Sequence, residues 1–130
     1  MATEKEKFIE NLKKKTKKFA TDVILFCDTL KNSKAAPLIT YQLIKSATSV
    51  GTNYRAACRA RSKAEFFSKI CIAVEEADES EYWLEVIDET DLSNEKKELS
   101  RLLIEANEIS RIMTKAKSSA YTKKPLNFKK

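Results

Sequence analysis

The sequence lacks histidine and contains very little glycine or proline. Its 130 residues include no His, one Gly and two Pro. A fold with many turns needs more glycine and proline, so sheet-rich classes are disfavoured. The absence of histidine removes Ser–His and Cys–His nucleophilic systems, the most common general base and mixed Cys/His zinc sites. One glycine is also too few for a glycine-rich phosphate loop. We therefore expect a helical protein that is not an enzyme and has no cofactor.

Cysteines and long apolar runs are scarce as well. The three cysteines (Cys27, Cys58 and Cys71) are an odd number without clustered spacing, which argues against a disulfide framework and favours a reducing compartment. The N-terminal MATEKEKF has no apolar run after its charges and therefore does not resemble a signal peptide. No apolar stretch approaches the roughly 18 residues of a membrane span. We expect a cytoplasmic protein without a membrane partner.

Charge is abundant and unevenly distributed along the chain. The net charge is +6, yet the stretch from Ala73 to Asp91 contains nine acids and no base, so the remaining residues carry +15. Such polarity is typical of charge complementarity, either within a fold or between copies of it. The acids are Glu75, Glu76, Asp78, Glu79, Glu81, Glu85, Asp88, Glu89 and Asp91.

Apolar residues recur at the three-and-four spacing of helices and predict four long helices. The first helix is expected from about Glu4 to Lys31 with Thr3 as N-cap. The second should start near Pro37, the third at a Ser62–Glu65 capping box, and the fourth after a Ser93 cap. The predicted core stripes are Phe8, Leu12, Phe19, Val23, Phe26 and Leu30; Leu38, Tyr41, Ile44, Ala47, Val50, Tyr54 and Ala57; Phe66, Ile70, Val74, Ala77, Leu84 and Ile87; and Leu99, Leu102, Ala106, Ile109, Met113 and Ala116.

Short connections between these helices force consecutive helices to run antiparallel. The predicted fold is therefore all-α, an antiparallel up-down-up-down four-helix bundle over residues 1–120. We expect the basic residues 121–130 to form a flexible C-terminal tail.

The middle of the second predicted helix, residues 46–53, is poor in helix formers. It is either a loop that splits the helix or a helical segment whose small side chains permit close packing. We favour the helix because the apolar spacing continues through the segment. A conflict between local propensity and global pattern often marks a packed position. We expect Gly51 at a close helix–helix contact, and a polar core position near Lys15 and Thr16.

Two acidic pairs, Glu75–Glu79 and Glu81–Glu85, lie one helical turn apart. They could form a carboxylate metal site or a solvated, salt-bridged surface. The second interpretation is favoured, so no metal ligand is predicted.

Basic residues are dense on the first and second helices and in the tail. They form either a solvated surface or a phosphate-binding footprint, which requires clustered Lys and Arg. No base-reading motif accompanies them. The candidate nucleic-acid-binding residues are Lys13, Lys14, Lys17, Lys18, Lys123 and Lys124.

Arg55 and Arg59 lead to a different prediction. In a hairpin of the second and third helices that turns near Arg61, opposite residues have numbers summing to about 123. Arg55 then lies some seven residues, about 10 Å, before the acidic stretch begins at Glu75, and Arg59 is further away. Lys45, by contrast, could pair locally with acids. We expect the arginines to meet acids of a neighbouring copy. The candidate oligomer interface is Arg55, Arg59, Glu75, Glu76 and Glu79.

The stretch from Leu38 to Ile87 resembles a four-helix-bundle family first named for proteins encoded in intervening sequences of 23S ribosomal RNA genes. Where the family commonly has an Ala-Glu-Gly-like element at the end of the second helix, this chain has Tyr54-Arg55-Ala56 and looks like a subgroup. The matching features are Gln42, Ser46-Ala47, Ser49-Val50-Gly51, Asn53, Arg59–Ser62, Phe66, Ala73, Glu76, Glu79 and Trp83-Leu84.

The resemblance implies a closed ring of identical bundles, five in number, with a basic surface. A related branch is the accessory protein of diversity-generating retroelements, a basic pentameric partner of a reverse transcriptase and of nucleic acid. Two functions follow as hypotheses. One is a non-catalytic scaffold that binds RNA, DNA or a nucleic-acid enzyme. The other is a structural protein-interaction module with no nucleic-acid role.

Overall fold

The structure, a computed structural model, describes the backbone of residues 1–128 and the side chains of residues 1–119. It contains four helices: α1 (Glu4–Cys27), α2 (Ala36–Cys58), α3 (Lys63–Glu89) and α4 (Lys96–Phe128), with no strand in that span. The all-α fold class is confirmed. The backbone of residues 121–128 continues α4. The flexibility of the tail stays a prediction, as do the roles of Lys123 and Lys124, whose side chains lie outside the described residues.

The helices pack as a four-helix bundle in which each contacts its neighbours in the chain and α1 also contacts α4. Lys15 pairs with Glu108 and Asp22 pairs with Arg101, so residue numbers in α4 fall as those in α1 rise. Connections of four to eight residues link consecutive helices. These contacts fit the antiparallel up-down-up-down order and place α1 and α3 on a diagonal of the bundle.

The helix starts follow local hydrogen bonding closely. Thr3 and Glu6 form the full capping box that starts α1, with N–H···O distances of 2.8 and 3.1 Å. At α3 the Ser62 hydroxyl accepts the N–H of Glu65 at 3.0 Å, but the Glu65 carboxylate accepts from Arg61, one residue before the cap. The predicted capping box of α3 is therefore formed on one side only.

The connection between α3 and α4 differs from the prediction in detail. α4 begins at Lys96, three residues after Ser93, whose hydroxyl accepts the N–H of Glu95 at 2.9 Å. Asp91 has a positive φ of 55° and accepts from the ammonium groups of Lys31 and Lys96. Lys31 thus links the α1–α2 connection to the α3–α4 connection. α1 ends at Cys27, four residues before the predicted end at Lys31.

The core contains most of the predicted stripes, with three large exceptions. Phe8, Leu38 and Tyr41 were predicted to be buried but are exposed by 52%, 59% and 62%. The N-terminal half of α2 has apolar residues on more than one side, so spacing alone does not select the buried side. That half of α2 buries Ile39 and Leu43 instead.

The middle of α2 is a continuous helix, as favoured, and it packs tightly. A Cβ atom placed on Gly51 would lie 3.3 Å from Thr16 Oγ1 in α1, which confirms the predicted close contact. Thr16 is fully buried and its hydroxyl donates to the carbonyl of Leu12, which confirms the polar core position. On the other side of α2, the Ser80 hydroxyl of α3 donates to the Ser46 hydroxyl at 3.0 Å.

Candidate interaction surfaces

Three of the four α1 lysines predicted to bind nucleic acid have no acidic partner in the described part of the chain. Lys13 is half-buried, Lys14 and Lys17 are exposed, and none of them forms an ion pair there. Lys18, the fourth lysine predicted to bind nucleic acid, pairs with Asp22 at 3.1 Å. The α1 lysines predicted to bind nucleic acid are therefore mostly available for an external anion.

Lys15, in the middle of the same run, has a structural role that the sequence did not indicate. Its ammonium group contacts the carboxylates of Glu105, at 3.0 Å, and Glu108 in α4. Burial lowers the pKa of Lys15, but the hydrogen bonds that its ammonium group donates to these two carboxylates outweigh burial, and the net shift is upward. Asp22 and Arg101 make a second link between the same helices at 2.8 Å. These ion pairs join α1 to α4.

Arg55 and Arg59 lie on the side of α2 that faces α1. Arg55 comes one helical turn after Gly51, whose neighbour across the interface is Thr16, and Arg59 comes one turn later. Both arginines are exposed, and neither forms an ion pair within the described residues. The structure therefore directs them away from α3.

Lys13 lies at the same height as Arg55 on the adjacent helix. It precedes Thr16 by three residues, and Arg55 follows Gly51 by four in an antiparallel partner. The structure thus brings together residues that the sequence assigned to two separate roles. We call this set the basic face: Lys13, Lys17, Arg55 and Arg59.

The register of α2 against α3 is shifted from the predicted one. The contact between Ser46 and Ser80 gives opposite residues a sum of 126 instead of about 123. Arg55 is therefore level with Cys71, still four residues, or about 6 Å, before Glu75. The predicted register was three residues off, and the position of Arg55 on the side of α2 toward α1 was not predicted.

The acidic stretch is almost free of cations within its own chain. Of its nine acids only Asp91 forms an ion pair in the described part of the protein. Glu79 accepts a hydrogen bond from the Trp83 indole at 3.2 Å. Burial, followed by the charges of Glu79 and Glu75, raises the pKa of Glu76, while Lys45 acts in the opposite direction. Lys45 itself makes no ion pair there, so the expected local pairing is not observed.

We call four central acids the acidic face: Glu75 and Asp78, which are exposed, and Glu76 and Glu79, which are half-buried. They lie on α3, diagonally opposite α1.

Neither a metal site nor a reactive thiol is apparent in the described residues. No three His, Cys, Asp or Glu side chains come together there to hold a metal ion. Cys27 is buried, and burial raises its pKa to about 11. Cys58 and Cys71 are half-buried, and all three thiols are free. None of the described helices combines the length and hydrophobicity that crossing a lipid bilayer requires.

The sequence model of the 23S rRNA-intervening sequence protein family matches residues 10–115. The chain belongs to this family. The resemblance carried by residues 38–87 is thereby confirmed and extends over most of the bundle.

A solved structure agrees with this assignment. It is the crystal structure of a protein of unknown function from the S23 ribosomal protein family of Bacteroides thetaiotaomicron. The two chains are 29% identical, the match covers 85% of this chain and 97% of the other, and the TM-score is 0.76. No curated protein sequence matches the chain. Membership of the 23S rRNA-intervening sequence protein family thus establishes the fold, while the family's function is unknown.

Proposed function

We propose that the protein is a non-catalytic, homo-oligomeric scaffold whose basic surface binds nucleic acid or an enzyme that acts on it, such as a reverse transcriptase. The observation that carries the proposal is a group of cations on α1 and α2 without acidic partners among the described residues. This group is Lys13, Lys14, Lys17, Arg55 and Arg59.

The arrangement of these cations favours a polyanion as ligand. Lys13 and Lys17 lie one turn apart on α1, where like charges oppose each other in the free protein. Bound phosphates relieve that repulsion and release counterions, so binding weakens steeply as salt rises. Because no base-reading motif accompanies the cations, binding depends on the phosphate backbone and not on base sequence.

The chemistry of the chain supports a non-catalytic role. It contains no histidine, and the Cys27 thiol is buried with a raised pKa, which keeps it protonated and a poor nucleophile at neutral pH. The free thiols also support a reducing compartment such as the cytoplasm.

The separation of charge supports self-assembly. The basic face lies on α1 and α2, the acidic face lies on α3, and neither is neutralised within the described chain. Two different complementary surfaces on one molecule favour head-to-tail contacts, which close into a ring when the rotation allows. The family resemblance implies five copies in that ring.

The test of nucleic-acid binding compares two pairs of lysine substitutions. Lys14→Gln/Lys18→Gln should weaken binding to both duplex DNA and RNA, and should make the slope of log affinity against log salt less steep by about 2. Lys97→Gln/Lys115→Gln removes two equally exposed charges from α4 and should leave both quantities nearly unchanged. Fluorescence anisotropy between about 50 and 200 mM salt measures both. Equal effects of the two variants, or no binding by the unmodified protein at low salt, would reject the proposal.

Exposed apolar side chains on α1 and α2 favour the second candidate, a protein-interaction module without a nucleic-acid role. That candidate predicts an oligomer that does not bind polyanions at any salt concentration. The same titration therefore decides between them.

A further inference from the structure

A group of large apolar side chains on α1 and α2 is exposed or only half-buried in the described part of the chain. Ile24, Leu38 and Tyr41 are exposed by 39%, 59% and 62%, and Ile44 beside them is half-buried. Leu38, Tyr41 and Ile44 are spaced by three residues along one side of α2. Ile24 follows Thr16 by two helical turns and so lies on the side of α1 nearest α2. We call this group the apolar patch.

The heights of residues on α1 and α3 can be compared through α2. Thr16 of α1 contacts Gly51 of α2, and Ser46 of α2 contacts Ser80 of α3. Gly51 comes five residues after Ser46. Because α2 and α3 are antiparallel, Gly51 is level with the residue five positions before Ser80, which is Glu75. Residues of α1 are thus level with residues of α3 about 59 positions later, because these two helices run in the same direction.

This correspondence orders the surfaces along the bundle. On α1 and α2, the basic face lies at the height of α3 residues 67–76, and the apolar patch lies at the height of residues 82–88. On α3 the acidic face occupies positions 75–79. An aromatic patch follows it: Tyr82 is exposed by 56%, Trp83 and Val86 are half-buried, and the rings of Tyr82 and Trp83 meet edge to face at 5.1 Å.

We propose that the apolar patch of one copy docks on the aromatic patch of the next copy while the basic face meets the acidic face. This inference rests on the proposed self-assembly and specifies its contact. Copies related by rotation about an axis parallel to the bundle lie side by side and point the same way. In this arrangement the apolar patch meets the aromatic patch. The end of the basic face that carries Lys17 then meets the acidic face. A reversed neighbour would instead place the acidic face toward the apolar patch.

The register also ranks the cations of the contact. Lys17 is level with Glu76, and Lys13 and Arg55 lie within about a turn of Glu75. Arg59 is level with Phe67, about 12 Å before Glu75, and so lies at the margin. Lys14 and Lys18 each differ from Thr16 by two positions, on the opposite side of α1, and remain accessible to a polyanion.

The experiment places a charge in each apolar surface. Tyr41→Asp should disrupt the apolar patch and Tyr82→Asp the aromatic patch, each raising the concentration for half-dissociation by about tenfold or more, because an unpaired charge in an apolar contact is costly. Leu25→Asp and Ile104→Asp are matched controls, since both side chains are exposed, by 67% and 70%, and lie outside the two patches. Circular dichroism checks that all four variants stay helical, and light scattering measures their assembly.

Mixing the two disrupted variants tests whether the contact is head-to-tail. Each retains one intact half of the contact, so an equimolar mixture should form dimers and nothing larger, while each variant alone stays monomeric. Unchanged assembly of the Tyr41→Asp variant, equal disruption by the controls, or no dimer in the mixture would overturn the inference and leave oligomerisation itself standing. A monomeric unmodified protein at micromolar concentration would remove the proposed self-assembly as well.

Discussion

At the scale of single residues, Gly51 shows how one position controls the spacing of two helices. A Cβ there would lie 3.3 Å from Thr16 Oγ1. This hydroxyl cannot easily move away, because it donates hydrogen bonds to the carbonyls of Leu12 and Lys13. Gly51→Leu should therefore destabilise the protein by about 1–3 kcal/mol through overpacking. Urea denaturation measures the change in unfolding free energy.

Two further variants separate crowding from helix propensity. Thr52→Leu adds the same side chain at the next, exposed position and should cost little. Gly51→Ala gains about 1 kcal/mol of helix propensity but meets the Thr16 hydroxyl, so Thr16→Ala combined with Gly51→Ala should be more stable than Gly51→Ala alone. Equal costs for the two leucine substitutions would contradict the close contact.

Asp22 makes the stability of the bundle depend on pH. Burial raises the pKa of its carboxyl group, but hydrogen bonds from Arg101 and Lys18 outweigh burial and lower it overall. A carboxyl group with a lowered pKa in the folded state contributes stability above its unfolded pKa, near 4, and loses it as pH falls through the folded value. Asp22→Asn should therefore cost about 1 kcal/mol at pH 7, and the difference from the unmodified protein should shrink below about pH 4.

Asp28→Asn supplies the control for this pH dependence. Asp28 lies just after the end of α1, is exposed and forms no ion pair among the described residues. Denaturation curves at neutral and acidic pH should show that the difference in unfolding free energy between this variant and the unmodified protein does not shrink at low pH. A cost of Asp22→Asn that stays constant with pH would contradict the role assigned to the carboxylate.

At the scale of helices, periodicity predicted the number and type of elements because each helix buries a long apolar stripe. It also correctly predicted that α2 is continuous through Gly51 and its small polar neighbours, where helix propensity alone predicts a break. It failed in the first turns of α2, where Leu38 and Tyr41 fit one side of the helix and Ile39 and Leu43 fit another. Local spacing cannot choose between two apolar sides, since tertiary packing decides which one is covered.

The candidate surfaces were predictable in composition but not in arrangement. The charges of α1 and α3 can be counted from the sequence. By contrast, the sequence does not show which neighbouring helix Arg55 lies toward, because that depends on which helix Gly51 contacts. Lys15 resembles the adjacent lysines in sequence, yet it pairs with α4 because its position faces Glu105 across the antiparallel interface. Register and helix rotation are set by the packed core, to which charged surface residues contribute little.

At the scale of the whole molecule, the bundle is electrically polar across its width. α3 contains two bases and nine acids, a net charge of −7, whereas α1 and α2 together carry nine bases and four acids, a net charge of +5. α1 and α3 occupy diagonal positions, so the helix with the most acids lies farthest from the lysine-rich one. A monomer leaves both surfaces to solvent and counterions, and a head-to-tail assembly brings them together.

Lys17 and Glu76 provide the sharpest test of that polarity because they lie at one height on diagonal helices and cannot pair within a chain. Lys17→Glu should place like charges at every contact of the assembly, and Glu76→Lys should do the same. Each change costs about 1 kcal/mol per contact for a partly exposed pair, so both variants should dissociate at concentrations where the unmodified protein stays assembled. The double variant restores opposite charges and should recover much of the assembly, whereas Arg59→Glu, farther along the bundle, should have a smaller effect.

Raising salt to about 0.5 M screens the repulsion, and the single variants should then reassociate through the apolar half of the contact. Sedimentation velocity measures these shifts; dissociation of the double variant to the same extent as the single variants would show that Lys17 and Glu76 do not face each other.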